Sequence, residues 1–467
     1  MADNIDRKKS SYMFYGETTS LCEKCLALVP AKIIIEDDNV YFKKHCKEHG
    51  SQKTLVSTDS GYYRETKNFI KPGDKPEKYF SKTEYGCPYD CGLCPDHEQH
   101  SCLALIEITD HCDLTCPVCF AESSPHRNNH LDLKTIEFMM DKLVEAEGKP
   151  DLLQISGGEP TRHPDIIEIL KLAKTKPIRH IMLNTNGVRI SEDKAFVKEL
   201  TQFQPGFEVY LQFDSLDNES LENLRGEGLE DTRLKALEVL EEFGISTTLV
   251  AVVKKGLNES EINPLINFAL GYKCVRGVTF QPVQDAGRNA NFDAYKDRIC
   301  QSDIRREIIK GDNAFGEDDV IPLPCNPGQI SIAYALRQGR NIVPITSLVP
   351  KEELLRDIPN TISFEQYPEL KKALFNSLTI SNCTDEKLEE MRELLCCLPK
   401  IELPSEITYE NIFRVSIIEF MDRHNFCLGG VKRSCIHFVT PKGEIIPFDT
   451  YNLFYRNGEI EKIRKND

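Results

Sequence analysis

LALIEITDHCDLTCPVCF, residues 103–120, joins an apolar strand pattern to three cysteines with C-x3-C-x2-C spacing. A second junction, LLQISGGEPT at residues 152–161, joins another apolar run to two glycines and an acid. Short apolar runs that end at turn residues are typical of buried strands. Each junction therefore predicts a strand followed by a loop that carries reactive or ligating side chains.

Strand and helix patterns alternate regularly from residue 103 to about residue 283. Six runs have strand character, at 103–109, 152–156, 180–184, 207–213, 247–253 and 278–283. Amphipathic helical patterns separate them, which predicts a parallel sheet with right-handed crossovers. Six units favour an α/β fold with a partial (βα)6 barrel, whose chemistry would lie at the carboxyl ends of the strands. A doubly wound open sheet is the alternative from periodicity alone.

Composition and charge narrow the class of protein. The 467 residues are 40% hydrophobic and carry a formal net charge of −16. This length predicts two or three domains, and the negative charge argues against nucleic acid as a partner. The N-terminus lacks an apolar segment behind its basic residues, and no run of about 18 apolar residues occurs. We therefore expect a cytoplasmic protein without a signal peptide or transmembrane segment.

The patterns divide the chain into four regions. These are a metal-binding hairpin region with a linker (1–78), a cysteine-rich segment (79–102), the barrel (103–290) and an α+β extension (291–467). In the extension, residues 386–398 and 410–424 have helical patterns. Cys396 and Cys397 on the first of these helices have the apolar neighbours of core residues. Residues 431–452 have a loop-and-hairpin pattern.

The cysteines are clustered, with ten of the eighteen before residue 120. A disulfide framework requires an oxidising compartment, whereas tight C-x2-C and C-x3-C-x2-C groups suit metals and iron–sulfur clusters. Cys112, Cys116 and Cys119 can bind three irons of a [4Fe–4S] cluster and leave the fourth iron open to a substrate. The Glu159 carboxylate can accept hydrogen bonds from an amine, and the adjacent glycines permit close approach of a ligand.

These features resemble the radical S-adenosylmethionine superfamily. Its two motifs occur here as Cys112/Cys116/Cys119 and as Gly157/Gly158/Glu159/Pro160, and the likeness extends to Asn184, Ser215 and Gln281 at later strand ends. The resemblance implies an open [4Fe–4S] cluster, bound S-adenosylmethionine and an electron donor such as ferredoxin or flavodoxin. It also implies a 5′-deoxyadenosyl radical that abstracts hydrogen from a C–H bond. No catalytic acid or base is predicted.

Two further cysteine groups precede the barrel. Cys87, Cys91 and Cys94 repeat the C-x3-C-x2-C spacing, and Cys102 supplies a fourth thiolate. Four thiolates saturate a cluster, so we expect an auxiliary [4Fe–4S] site there, with zinc as the alternative.

The N-terminal region has a separate ligand set. Cys22, Cys25, Cys46 and His49 flank a predicted β-hairpin with spacing close to that of a zinc ribbon. We expect one mononuclear zinc or iron ion at this position.

Over nearly its whole length the chain resembles the tetraether lipid synthase group, related members of which are labelled pterin methyltransferases. That resemblance rests on the N-terminal C-x2-C with HCKEHG, the segment GCPYDCGLCP, CDLTCPVCF and the C-terminal VKRSCIHF with IIPFDTYN. It implies radical coupling of lipid alkyl chains and further clusters. The group often has cysteine where this chain has Asp449, which leaves open whether Cys325 and Cys435 hold a third cluster.

Three functions follow as hypotheses. A lipid-coupling or lipid-modifying enzyme would need a long apolar channel and could contact a membrane surface transiently. Phe413, Ile417, Phe420 and Met421 could line that channel from the predicted helix at 410–424, although a plain core helix has the same pattern. An enzyme that methylates or rearranges a small heterocycle such as a pterin would have a compact polar pocket. A non-catalytic electron carrier would not need the GGEP motif.

Overall fold

Two β-sheets organise the chain in this computed structural model, which describes residues 11–347 and 411–464. The first sheet is antiparallel, with strands in sequence order: β1 Met13–Leu21, β2 Leu28–Glu36, β3 Asn39–Cys46 and β4 Gly50–Ser57. Asp37 and Asp38 both have positive φ, as a tight turn between β2 and β3 requires. This turn confirms the predicted hairpin. The helix α1 (Ser60–Glu65) follows the sheet.

The second sheet contains the predicted six strands, parallel and in chain order. They are β5 Leu103–Glu107, β6 Leu152–Ser156, β7 His180–Thr185, β8 Phe207–Gln212, β9 Thr247–Val253 and β10 Val275–Pro282. Each strand aligns its carboxyl end with that of its neighbours. The partial barrel predicted from the alternating pattern is therefore confirmed.

Helices connect these strands and cover one face of the sheet. They are α2 Leu133–Glu147, α3 Ile166–Thr175, α4 Val188–Glu192, α5 Lys194–Leu200, α6 Asn218–Arg225, α7 Glu230–Glu242, α8 Ile262–Ala269 and α9 Gln301–Lys310. Helix α2 shows why they pack there, since Ile136, Met140 and Leu143 lie on one helical face and are all fully buried. Each such side chain stabilises the fold by about 1.5–3 kcal/mol.

The C-terminal region extends the same sheet at both edges. Its strands are β11 Ile321–Pro322, β12 Ile330–Gln338, β13 Asn341–Pro344, β14 Ile412–Ile418, β15 Ile436–Val439 and β16 Ile445–Pro447. Strand β14 lies parallel to β10 at one edge, and β15 lies parallel to β5 at the other. Strands β15 and β16 form the predicted hairpin. Short helices α10 Leu428–Val431, α11 Phe448–Thr450 and α12 Glu459–Arg464 complete the described chain.

The helix predicted at residues 410–424 is wrong, because residues 412–418 form strand β14. All seven residues of β14 are buried, between β10 on one side and β12 on the other. A strand that is buried on both faces reads as a continuous apolar run, which periodicity alone does not separate from a buried helix. Phe413 and Ile417 are consequently core residues with no exposed surface.

Two other expectations concern a helix in the C-terminal region and transmembrane segments. The helix predicted at residues 386–398, with Cys396 and Cys397, lies outside the described residues. Within the described ranges, the helices are all too short or too polar to traverse a bilayer.

Candidate active site and metal centres

Three cysteines after β5 share one cavity at the carboxyl end of the barrel. Cys112, Cys116 and Cys119 line a cavity of about 110 Å³. The predicted residues Gly157, Gly158, Asn184 and Gln281 line it too, from the ends of β6, β7 and β10. The structure thus brings both sequence motifs to one place, as strand alignment in a barrel requires.

The two glycines are required by backbone packing between the first two barrel loops. A Cβ at Gly158 would lie 2.2 Å from the carbonyl oxygen of His111, and one at Gly157 would lie 2.4 Å from that of Thr109. The Gly158 amide donates to the Thr109 carbonyl at 2.7 Å. Backbone at such short range cannot move aside for a methyl group. The glycines therefore join the cysteine loop to the β6 loop, besides facing the cavity.

Glu159 is hydrogen-bonded inside the protein. Its carboxylate is 1% exposed and accepts hydrogen bonds from the Thr161 amide and hydroxyl, the Thr185 hydroxyl and the Asn186 amide, at 2.6–3.1 Å. Burial and the nearby Asp113 raise the pKa of Glu159 to about 7. Its acceptor capacity is used inside the protein. Glu159 thus connects the loops after β6 and β7, and its contact with a ligand amine stays a prediction.

The other predicted residues divide between the cavity and the protein interior. Ser215 is 2% exposed and donates to Glu261 at 2.6 Å, so it lies outside the cavity lining. Gln212, at the end of β8, lines the cavity instead. Gln281 donates to the Tyr210 hydroxyl at 3.3 Å, which fixes its amide at the wall. Pro160 is buried and begins a short 3-10 helix.

A buried arginine, Arg225, contacts the cysteine loop. Arg225 donates to both carboxylate oxygens of Asp214, at 2.6 and 2.7 Å, and to the Val118 carbonyl at 3.2 Å. A bidentate pair of this kind fixes the orientation of the guanidinium and also contributes to the stability of the fold. Burial raises the pKa of Cys116, and the Arg225 charge opposes that rise. Sequence patterning gave no signal for this contact, because 107 residues separate Arg225 from Val118.

Arg288 also contacts the cysteine loop. Its backbone exchanges two hydrogen bonds with Cys119, each 2.9 Å long. Its guanidinium donates to the Cys116 carbonyl at 2.6 Å and to the Ser123 carbonyl at 2.7 Å. Arg288 belongs to the loop after β10, so the loops after the first and the sixth barrel strands are joined. The sequence pattern did not identify it.

Aromatic side chains form another part of the cavity wall. Phe120, Phe420 and Phe448 all line the cavity. The rings of Phe420 and Phe448 are stacked, with centroids 3.8 Å apart and planes at 22°. Phe420 was expected to line a channel and does face a cavity, whereas Phe413 and Ile417 do not. This wall offers a flat apolar surface to the cavity.

The cavity lining fits an iron–sulfur cluster with a polar organic cofactor. Three thiols line it, Cys112, Cys116 and Cys119, and they could bind three irons of a cluster. The lining amides include Asn184, Asn186, Gln212 and Gln281. The Ser123 hydroxyl, also in the wall, is buried without a hydrogen-bond partner in the structure. Such a group is available to a ligand donor or acceptor.

The N-terminal ligand set is assembled as predicted. The Cys22 sulfur lies 3.5 Å from His49 Nδ1, Cys46 lies 3.6 Å from the same atom, and the Cys25 and Cys46 sulfurs are 3.9 Å apart. These distances match the edges of a tetrahedron with metal–sulfur bonds of about 2.3 Å. Burial alone would raise the pKa of Cys22, but backbone amides and Gln52 lower it to about 6. This group can therefore bind one metal ion.

The auxiliary group is not assembled in the predicted combination. Cys87 and Cys91 are hydrogen-bonded, and Cys94 is near enough to raise the pKa of Cys91, whose pKa is raised first by burial. The sulfur of Cys102 lies instead with those of Cys325 and Cys435, all within 4.8 Å of one another. The prediction of Cys102 as the fourth member of the Cys87 group is therefore corrected. Sequence proximity suggested the wrong partner, because β15 brings Cys435 beside the start of β5.

Comparison with known proteins agrees with this geometry. The Radical SAM superfamily profile matches residues 106–269, and that of the HMPTM N-terminal zinc ribbon domain matches residues 14–58. The chain is 29% identical to the 7,8-dihydro-6-hydroxymethylpterin dimethyltransferase of Methanocaldococcus jannaschii, over 96% of this chain and 95% of the relative. It is 26% identical to the GTP 3′,8-cyclase of Chlorobaculum tepidum, over 50% of this chain and 71% of the relative.

A solved structure of SuiB from Streptococcus suis bound to S-adenosylmethionine is 21% identical, with a TM-score of 0.37, and the match covers 45% of this chain and 46% of that chain. Both sequence motifs lie within residues 106–269, and this range also includes the barrel from the end of β5 to α8. Residues 106–269 therefore form a radical S-adenosylmethionine domain, and the chain is a radical S-adenosylmethionine enzyme.

Proposed function

We propose that this enzyme modifies a pterin-type heterocycle at carbon, with methyl transfer as the reaction. The observation that carries the proposal is the similarity to a pterin dimethyltransferase, which extends over 96% of this chain and 95% of that relative. Because the match covers nearly the whole chain, it includes the N-terminal ribbon and the C-terminal strands as well as the barrel. The proposal therefore rests on more than the part common to the superfamily.

The cavity at the three cysteines supports a small planar substrate. It measures about 110 Å³ and is lined by side-chain amides and by the stacked pair Phe420 and Phe448. Amides offer both donors and acceptors, which is what a ring with alternating nitrogens and carbonyls requires. An aromatic wall stacks on a flat ring at little conformational cost.

Lipid coupling has weaker support than pterin methylation. The channel expected for it depended on a helix at 410–424, and that segment is strand β14 with Phe413 and Ile417 in the core. Phe420 and Met421 remain near cavities, but they follow the strand and share no helical face. Modification of a lipid is therefore the competing outcome in the test below.

Residues of this chain have separable roles in the proposed reaction. Cys112, Cys116 and Cys119 would hold a [4Fe–4S] cluster, which together with S-adenosylmethionine supplies one-electron cleavage chemistry. Arg225 and Arg288 fix the loop that carries these thiols. The aromatic wall excludes water from the substrate side. A reductant is required, and we propose ferredoxin or flavodoxin as its source.

The test compares two substrate classes on one preparation. Anaerobically reconstituted enzyme is incubated with S-adenosylmethionine, a reductant and either 7,8-dihydro-6-hydroxymethylpterin or a diether lipid. We expect 5′-deoxyadenosine formation to rise with the pterin, and mass spectrometry to detect a pterin that has gained one or two methyl groups. Each methyl group would come from a further molecule of S-adenosylmethionine, because the molecule that is cleaved to the radical keeps its methyl group in methionine.

The Cys116→Ala variant should give neither product, whereas Cys274→Ala, which removes a buried thiol away from the cavity lining, should give both. Modification of the lipid with an unchanged pterin would contradict the proposal.

A further inference from the structure

Two buried arginines next to the cysteine loop share a single carboxylate. Arg233 on α7 is fully buried, Arg225 at the end of α6 is 4% exposed, and Asp214 is 1% exposed. Arg233 Nη1 donates to the Asp214 carboxylate at 2.7 Å, and Arg225 donates to both oxygens of that carboxylate. A guanidinium stays charged in proteins, so two positive charges face one acid. This arginine–aspartate group of Arg225, Arg233 and Asp214 therefore carries one surplus positive charge in the protein interior.

The contacts of the arginine–aspartate group bring in no second acid. Arg233 Nη1 also donates to the Phe213 carbonyl, while its Nε and Nη2 are buried without a hydrogen-bond partner. Asp214 accepts in addition from the Val252 amide at 3.0 Å. Within residues 11–347 and 411–464, the two arginines form ion pairs with Asp214 alone. A buried charge that lacks a partner is costly, so negative charge close by would stabilise this group.

The cysteine loop is the place where such negative charge forms. Arg225 Nη1 donates at 3.2 Å to the carbonyl of Val118, which lies between Cys116 and Cys119 in the chain. Burial raises the pKa of Cys116, and the charges of Arg225 and Arg233 both oppose that rise. A cluster held by three thiolates is net negative, and an electron that it accepts adds one further negative charge. The surplus charge is therefore placed to interact with the charge of the cluster.

We propose that the surplus charge of the arginine–aspartate group raises the reduction potential of the cluster at Cys112, Cys116 and Cys119. One electron from the external donor makes the cluster more negative, and a fixed cation nearby stabilises that reduced state. Because the group is buried, solvent ions screen its charge only weakly. Arg233 lies outside the cavity lining, so it acts through its charge and not by contact with a substrate. The proposal does not depend on the proposed pterin substrate.

The experiment is a redox titration of the reconstituted full-length enzyme, followed by electron paramagnetic resonance of the reduced cluster. The signal that is missing from the Cys116→Ala protein identifies the catalytic cluster. Arg233→Met removes the surplus charge and retains a long side chain. We expect the equilibrium constant for reduction to fall about tenfold, which for one electron lowers the midpoint potential by about 59 mV.

Arg337→Met is the matched control for loss of a buried arginine. Arg337 is 8% exposed and donates to the carbonyls of Leu270, Tyr272 and Val275, at the amino end of β10 and thus remote from the cavity. Its loss should leave the potential of the catalytic cluster at the parent value. An unchanged potential in Arg233→Met, or an equal decrease in Arg337→Met, would overturn the proposal.

Asp214→Asn tests the same charge in the opposite direction and can be measured where Arg233→Met does not fold. Loss of the acid leaves both arginine charges uncompensated, so the potential should rise. A decrease in Asp214→Asn would contradict the proposal. Iron and sulfide analysis shows whether each variant holds its cluster. If Arg233→Met and Asp214→Asn both fail to bind a cluster while Arg337→Met binds one, the group has a structural role and the proposal is wrong.

Discussion

Arg288 donates from its guanidinium to the backbone carbonyl of Cys116 at 2.6 Å, although 172 residues separate them in sequence. The same arginine pairs its backbone with Cys119 on both the donor and the acceptor side. Two of the three cavity cysteines are thereby fixed by the loop after the last barrel strand. The geometry of the cysteine loop, which follows the first barrel strand, therefore depends on the loop after the last barrel strand.

Removal of this side chain should loosen the cysteine loop. Arg288→Ala eliminates hydrogen bonds to Cys116 and Ser123, and bonds from a charged donor contribute about 1.5–3 kcal/mol each. We expect reconstituted cluster content and 5′-deoxyadenosine formation to fall on the order of tenfold or more. Arg127→Ala serves as the matched control, because Arg127 is near the loop but 45% exposed. Equal activity of the two variants would show that Arg288 is dispensable.

Loss of one cavity thiol should inactivate the active site without removing metal from the N-terminal site. Cys116→Ala should abolish reductive cleavage of S-adenosylmethionine, because three thiolates are needed to hold the cluster. Metal at the N-terminal Cys22 site should remain, since that group lies in a different sheet. Chromatographic assay of 5′-deoxyadenosine and metal analysis measure the two effects. Normal product formation by this variant would refute the assignment of the catalytic cluster.

Stability should depend on pH through Asp449. Burial raises the pKa of Asp449 to about 7, from a usual value of 3.8, while the Met421 amide donates to it at 2.6 Å. The folded state favours the protonated acid, so stability from this residue is full below about pH 4 and is lost as the pH rises to 7. The loss is up to about 4 kcal/mol.

Denaturant unfolding of the Asp449→Asn variant should therefore show a flatter pH dependence between pH 4 and pH 7 than the parent chain. Identical slopes for the two proteins would contradict the raised pKa. The test uses the difference in pH dependence between the variant and the parent chain, because the other carboxyl groups titrate in both proteins.

A methyl group at Gly158 should separate the two motif loops. A Cβ there would lie 2.2 Å from the His111 carbonyl oxygen, and overpacking of this kind costs about 1–3 kcal/mol. Gly158→Ala should lower the unfolding free energy by that amount and reduce 5′-deoxyadenosine formation. Gly328→Ala is the control, since nothing lies within 4 Å of its Cβ position. If both variants behave like the parent chain, the close approach of the loops is unimportant.

The sequence by itself determined the six barrel strands, the position of the two motifs at strand ends, and the ligands of the N-terminal metal group. These features are local, since apolar periodicity reports which face of an element is buried and C-x2-C spacing brings two thiols together within one turn. The hairpin between β2 and β3 was predictable for the same reason, because its turn residues are adjacent.

Only the tertiary structure decided which distant residues meet. It grouped Cys102 with Cys325 and Cys435, directed the Glu159 carboxylate towards Thr185 and Asn186, and placed Arg288 on the cysteine loop. It also made residues 412–418 a strand, because burial against both β10 and β12 overrides a pattern that a helix would share. Pairings over 100 residues or more follow from the order of strands in the sheet, and that order depends on how whole apolar faces pack, which no short stretch of sequence encodes.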